Sequence, residues 1–225
     1  MRVRHRSSIL RFLFLYILIS IVIFGDRFEN IRFKHLTIDD GLSQSTVFCI
    51  LQDKKGFLWF GTEDGINKYD GKKIIQINPE PGNPNSLIYN YIGAIYEDSD
   101  GFLWIGTQGG GLDCYDPELD TFTHFKSGPD PTTSLSDDFI NALCQCNHGK
   151  IWIGTNDGLN ILDPQSGRFI HFKNDPDIPG SLSDNQVSAL LIDRNGLMWV
   201  GTHNGLDRFE HRDDLIAQYQ NIEFK

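Results

Sequence analysis

Between residues 40 and 210 the apolar positions fall in short runs, and turn-forming residues interrupt them every eight or so positions. One stretch shows all the parts. FINALCQC is a first run, closed by the turn Cys146-Asn147-His148-Gly149. IWIGT follows, then a break at Asn156-Asp157-Gly158, LNILD, a turn at Pro164-Gln165-Ser166-Gly167, and RFIHF. Short runs rich in β-branched and aromatic residues, bounded by Gly, Pro, Asn and Asp, predict strands rather than helices. The second run is apolar on both faces, as in Phe57, Leu58, Trp59 and Phe60, which predicts a sheet sandwiched between neighbours. First turns of the same kind stand at Asp53–Gly56, Asp98–Gly101 and Asp193–Gly196. In these, Asp caps backbone amides and Gly accepts a positive φ.

The stretch recurs. Trp59, Trp104, Trp152 and Trp199 occupy one frame, spaced by 45, 48 and 47 residues, each followed by a glycine two positions on (Gly61, Gly106, Gly154, Gly201). A period in the forties with four strand-like runs per unit predicts propeller blades. The recurring Trp residues are expected to pack the core, and the glycines to allow close backbone approach. The fold expected is all-β: a partial β-propeller of four four-stranded blades over about 42–77, 86–125, 134–172 and 181–220. An orphan outer strand at about 33–37 precedes them, since Phe33-Lys34-His35-Leu36 matches the outer strands at 122–125 and 169–172. An outer strand for the last blade is expected at 216–219, which makes the whole an open arc within residues 26–225. The competing topology is a closed four-bladed ring in which 33–36 pairs with 206–209.

Composition changes the picture at one end. Residues 1–25 hold four arginines and no acid, and the uncharged run FLFLYILISIVIF follows the basic stretch. This is an export signal or an N-terminal membrane anchor, and it predicts that residues 26–225 face the periplasmic or extracellular side. The exported part carries 16 basic against 30 acidic groups, an acidic balance that argues against nucleic-acid binding.

The frame resembles the two-component regulator propeller repeat, with DGLSQSTVFCILQDKKGFLWFGTEDGINKYDG (40–71) as its most specific stretch. That resemblance implies an extracytoplasmic sensor region of a histidine kinase, hybrid two-component protein or diguanylate cyclase. It also implies an N-terminal portion without the transmitter domain, and glycans as a ligand class. On this reading the chain senses a ligand and performs no catalysis itself. Its partners would be an oligosaccharide-like ligand and the remaining blades of a longer propeller, or a second copy of the chain. The alternatives are a propeller-type carbohydrate-active enzyme and a non-signalling interaction scaffold. The enzyme would need an acid–base or Tyr/His constellation unique to one blade, for which Tyr89 and Tyr91 are the blade-specific candidates.

Residues that recur in every blade read as architecture, so candidate chemistry is sought where the blades differ. No cofactor or metal is expected. His35, His124 and His171 share one strand position on different blades and cannot converge on an ion. Asp98–Gly101 lacks the later ligands of a calcium loop. Cys49 and Cys144 align with small or apolar core positions, and Cys146 takes the turn position of Asp53, where exposure is expected. The differing positions cluster in the loops between second and third strands: Glu63 and Asp64, Gln108, Asn156 and Asp157, His203 and Asn204. Together with the blade-to-blade loops at 79–90, 127–138 and 174–185 they predict one polar rim suited to a neutral, hydroxyl-rich ligand.

Overall fold

A computed structural model describes residues 32–146 and 148–209. The chain divides into two units, Met1–His35 and Leu36–Lys225. Both the leader assigned to residues 1–25 and the outer strand expected at 216–219 lie outside the described residues.

Four antiparallel sheets follow one another. Blade 1 comprises β1 (Val47–Gln52), β2 (Leu58–Thr62), β3 (Ile66–Tyr69) and β4 (Ile74–Ile77). Blade 2 comprises β5 (Ile92–Glu97), β6 (Leu103–Thr107), β7 (Leu112–Asp116) and β8 (Thr121–Phe125). Blade 3 comprises β9 (Ile140–Gln145), β10 (Ile151–Thr155), β11 (Gly158–Asp163) and β12 (Arg168–Phe172). The described part of blade 4 has β13 (Val187–Ile192), β14 (Met198–Thr202) and β15 (Gly205–Phe209). Within each blade the strands pair in chain order, and the first strands of successive blades lie side by side. The series is open. β15 has β14 as its only neighbour among the described residues, whereas a closed four-bladed ring would give it a second.

The orphan strand expected at 33–37 is not formed. Residues 32–37 have no regular structure, and Phe33 is 83% exposed. A strand persists through its ladder, and an outer-strand sequence without a partner strand has nothing to hold it extended. The first regular element among the described residues is a 3-10 turn, Ile38–Asp40, capped by the Thr37 side chain.

Three apolar seams hold the blades together. Trp59 and Ile66 of blade 1 pack with Ile92, Leu103 and Ile105 of blade 2. Trp104 and Leu112 pack with Ile140, Ile151 and Ile153. Trp152 and Leu159 pack with Val187, Met198 and Val200. The glycine after each Trp strand is a matter of space. A Cβ on Gly61, Gly106 or Gly154 would come within 2.7, 2.5 or 2.6 Å of the Ile92, Ile140 or Val187 side chain of the next blade. Trp199 is only half-buried, because its seam face has no following blade among the described residues.

The turn aspartates do more than cap their turns. Asp53, Asp98 and Asp193 each accept the indole N–H of their blade's Trp, at 2.8, 2.8 and 3.1 Å. The other carboxylate oxygen accepts turn amides, such as Phe57 N–H at 2.8 Å and Phe102 N–H at 3.0 Å. This position therefore lies under the indole, and that overturns the expectation for Cys146. Cys146 is 6% exposed, packed in the Trp152 cluster, and the Trp152 Nε1–H is buried without a partner. Cys49 and Cys144 are core residues as expected, and burial pushes their thiols up to about 11 and about 12.

Candidate functional site

The loops between second and third strands and the blade-to-blade loops meet at one rim because an up-and-down blade sends both to the same end. Backbone bonds stitch them together. Gly65 N–H donates to the Asn90 carbonyl, Gln108 N–H to Tyr91, Gly109 and Gly111 N–H to Asp138, Gly158 N–H to Asn185 and His203 N–H to Gln186. Each short loop is thus held by the loop entering the next blade.

The rim does not gather all the predicted residues into one place. Gln108 and Asn156 are brought together through a third amide, Asn141. Gln108 Nε2 donates to the Ile140 carbonyl at 2.7 Å and lies 3.5 Å from Asn141 Oδ1. Asn141 Nδ2 in turn donates to Asn156 Oδ1 at 2.9 Å and to the Val187 carbonyl at 2.9 Å. Asp157 is turned away, into an ion pair with Lys173 beyond the outer strand of its blade. Glu63 and Asp64 are exposed, and Glu63 accepts from Gln44 at 3.4 Å. His203 and Asn204 are also exposed, and Asn204 donates to the Ser183 carbonyl at 3.3 Å.

Sequence reasoning missed the residues that join these groups. Every first strand carries a β-bulge where it pairs with the second, between Val47 and Cys49, Ile92 and Ala94, Ile140 and Ala142, and Val187 and Ala189. The extra residues are Phe48, Gly93, Asn141 and Ser188. Phe48 is 42% exposed, and its ring centroid lies 4.9 Å from that of Tyr91. Tyr89 and Phe139 are exposed on the same rim, against Gly110 and Gly109. A signal was present in the frame: the bulged position changes type in every blade while its neighbours do not.

Concavities also lie on the opposite face, between the turns of successive blades. One of about 390 Å³ is lined by Lys54, Lys55, Phe57, Asp100 and Glu118. Another of about 360 Å³ is lined by Phe102, Trp104, Phe125, Lys150 and Asp163. They recur at successive seams, and their charges neutralise one another within the groove, as Lys55 with Glu118 and Lys150 with Asp163 at 2.7 Å. Repetition and internal pairing mark these grooves as seam geometry.

The histidines serve local anchoring. His124 Nδ1 is 2.6 Å from Asp113 Oδ1, and its Nε2 is 2.8 Å from the Pro84 carbonyl. The hydrogen bond to Asp113 raises the His124 pKa, while burial raises that of Asp113. His171 Nε2 meets the Ser134 carbonyl at 2.9 Å, and burial lowers its pKa. Both carboxylate oxygens of Asp98 are occupied by the Trp104 indole and by turn amides.

Sheets of four antiparallel strands, packed face to face through Trp-centred seams and laced at one rim, define β-propeller blades. More specifically, the chain carries four two-component regulator propeller repeats, matched over residues 41–64, 86–109, 134–157 and 181–204. Each match runs from the entering loop through the bulged first strand and the Trp strand to the rim. Over 54 residues the chain is 57% identical to Histidine kinase P4 of Formosa agariphila, which is 23% of this chain and 4% of that protein. The extracellular domain of a hybrid two component system of B. thetaiotaomicron is similar at TM-score 0.63 and 28% identity, over 80% of this chain and 30% of that one. That of a one component system of the same organism shares the fold at TM-score 0.67 and 22% identity, over 79% and 23% of the two chains. The chain thus spans less than a third of each of these relatives.

Proposed function

We propose that this chain is the blade-bearing part of an exported ligand sensor in a two-component-type signalling protein, recognising ligand rather than transforming it. The observation that carries the reading is the run of four two-component regulator propeller repeats, supported by the 28% identity to an extracellular domain of such a system. The arrangement of the blades agrees with this role. Turns on one face repeat one design, Asp-based in three of the four blades, whereas the opposite rim differs at every blade, as suits a recognition surface. The ligand proposed is a neutral oligosaccharide met at the rim that includes Glu63, Gln108, Asn156 and His203. An acidic chain with carboxylates on that rim would repel an anion.

Two measurements test the reading. A fusion of alkaline phosphatase after residue 225 should be active in a bacterial host only if the chain is exported. Calorimetric titration of the chain with a panel of neutral oligosaccharides should find at least one binder. An inactive fusion together with no binding across the panel would overturn the proposal.

A further inference from the structure

The bulges separate two kinds of position on each first strand. The residues flanking a bulge are committed to the seams: Ile92, Ile140 and Val187 are fully buried, and Cys49, Ala94, Ala142 and Ala189 oppose the seam glycines. Those flanks are alike in all four blades. The extra residue is released from the seam, since a bulge re-aims a side chain that the pleat would otherwise bury. Its identity is Phe, Gly, Asn and Ser in turn, so no single side chain is required there, although at Gly93 a Cβ would come within 2.9 Å of the Ile140 carbonyl oxygen of the next blade.

The released residues meet the rim loops. Phe48 lies against Tyr91, which directly precedes the first strand of blade 2. The missing side chain of Gly93 leaves room for the Gln108 amide, whose Nε2 would be 2.2 Å from a Cβ at position 93. Asn141 continues the line to Asn156. Across blades 1 to 3 the rim therefore presents an aromatic pair, Phe48 exposed and Tyr91 half-buried, and then three linked carboxamides, with no ionised side chain among them. An aromatic ring stacks on the apolar C–H face of a ring ligand, and since the linkage uses both amide hydrogens of Gln108 and of Asn141, these carboxamides offer acceptor oxygens to neighbouring hydroxyls.

Resting on the sensor reading above, we infer that Phe48, Tyr91, Gln108, Asn141 and Asn156 form the ligand-contacting surface of this rim. They take an uncharged sugar ring, its face on Phe48 and Tyr91 and its hydroxyls on the carboxamides. Asp157, paired with Lys173, and the exposed Glu63 and Asp64 are left outside this surface.

The test uses the full chain and a panel of neutral α- and β-linked glucan, galactan and xylan oligosaccharides, with the tightest binder carried forward. Phe48→Ala and Asn156→Ala should each weaken its binding at least tenfold with an unchanged circular dichroism spectrum, and Phe48→Tyr, which keeps the ring, should retain it. Lys55→Ala, in the groove of the opposite face, should bind as the parent does. Undiminished binding by Phe48→Ala and Asn156→Ala would overturn this surface and leave the sensor reading intact, as would a loss confined to Lys55→Ala. Absence of binding to every member of the panel would overturn both this surface and the sugar as ligand.

Discussion

Blade 3 lacks a bond that its three companions make, and restoring it should strengthen the fold. The Trp152 side chain is fully buried with its Nε1–H unpartnered, and Cys146 stands six residues before it, where the others have aspartate. Leaving a buried donor unpaired costs about 1–3 kcal/mol, and a hydrogen bond to a charged acceptor contributes about 1.5–3 kcal/mol. Against this stands the desolvation of a carboxylate in place of a thiol. That cost is moderated because the turn amides of this position also donate to it, as they do to Asp98, which is 4% exposed. The balance predicts that Cys146→Asp stabilises the chain by about 1–2 kcal/mol. For a unit of this size each kilocalorie moves the melting temperature by about 2–4 °C, so a rise of about 2–8 °C is expected. The converse, Asp98→Cys, should cost a similar amount by orphaning the Trp104 indole. Thermal unfolding followed by Trp fluorescence measures both. A Cys146→Asp variant less stable than the parent, with Asp98→Cys neutral, would refute the claim that this bond matters.

Three further outcomes follow from the seams and anchors. Trp104→Ala should cost about 3–5 kcal/mol through lost burial and the cavity left behind, while Asp157→Ala and Asn204→Ala should change stability by at most about 1 kcal/mol; urea midpoints that rank them equally would contradict the division into core and rim. Gly106→Ala should destabilise by about 1–3 kcal/mol, because its Cβ would sit 2.5 Å from Ile140 Cγ2. Gly201→Ala should be better tolerated, with its nearest neighbour at 3.3 Å, and equal losses in a thermal scan would refute the steric account. His124 has two acceptors, Asp113 and the Pro84 carbonyl, so only the imidazolium satisfies both, and its folded pKa is raised. Its stabilisation is therefore complete below the unfolded value of about 6.5 and is lost as pH rises through the folded one. Melting temperatures between pH 6 and 9 should fall for the parent and fall less for His124→Gln, and parallel curves would refute the coupling.

Much of the fold was legible because four copies of one frame corroborate each other. The Trp strands, the Asp-to-Gly turns and the seam glycines each recur in register, so a misreading of one blade would clash with the other three. The bulges were not legible within one blade, since an extra residue leaves the local run of Val, Phe, Cys and Ile reading as an ordinary strand, and only the change of type at that position across the four copies pointed to them. The burial of Cys146 was missed for a related reason. A turn position suggests exposure, yet the regular six-residue interval from Asp53 to Trp59, Asp98 to Trp104 and Asp193 to Trp199 held the information that this residue reaches its own indole. The orphan strand failed because sequence similarity to an outer strand supplies no partner for its ladder. Gln108 and Asn156 were found as differing loop residues, but Asn141, the amide that joins them, sits within a strand run and carried no loop signal.

Difference between blades is therefore not by itself a mark of function. The third strands show why. Asn67, Asp113, Asn160 and Asp207 all accept the N–H of the entering loop, from Ser43, Ile88, Ser136 and Ser183, at 2.8–2.9 Å. In blades 1, 3 and 4 the serine hydroxyl also bonds Thr62, Thr155 or Thr202. Blade 2 has Ile88, without a hydroxyl, and there His124 takes the second carboxylate oxygen of Asp113. Sequence differs, yet the task of anchoring the entering loop is preserved, so the Asp113–His124 pair is architecture in another form. Phe48 has no such counterpart. Gly93, Asn141 and Ser188 at its position share neither its size nor its polarity, and the blade keeps its seam whichever of them is present. A large apolar ring 42% exposed beside Tyr91 keeps apolar surface in water, and a ligand face laid on it would cover that surface.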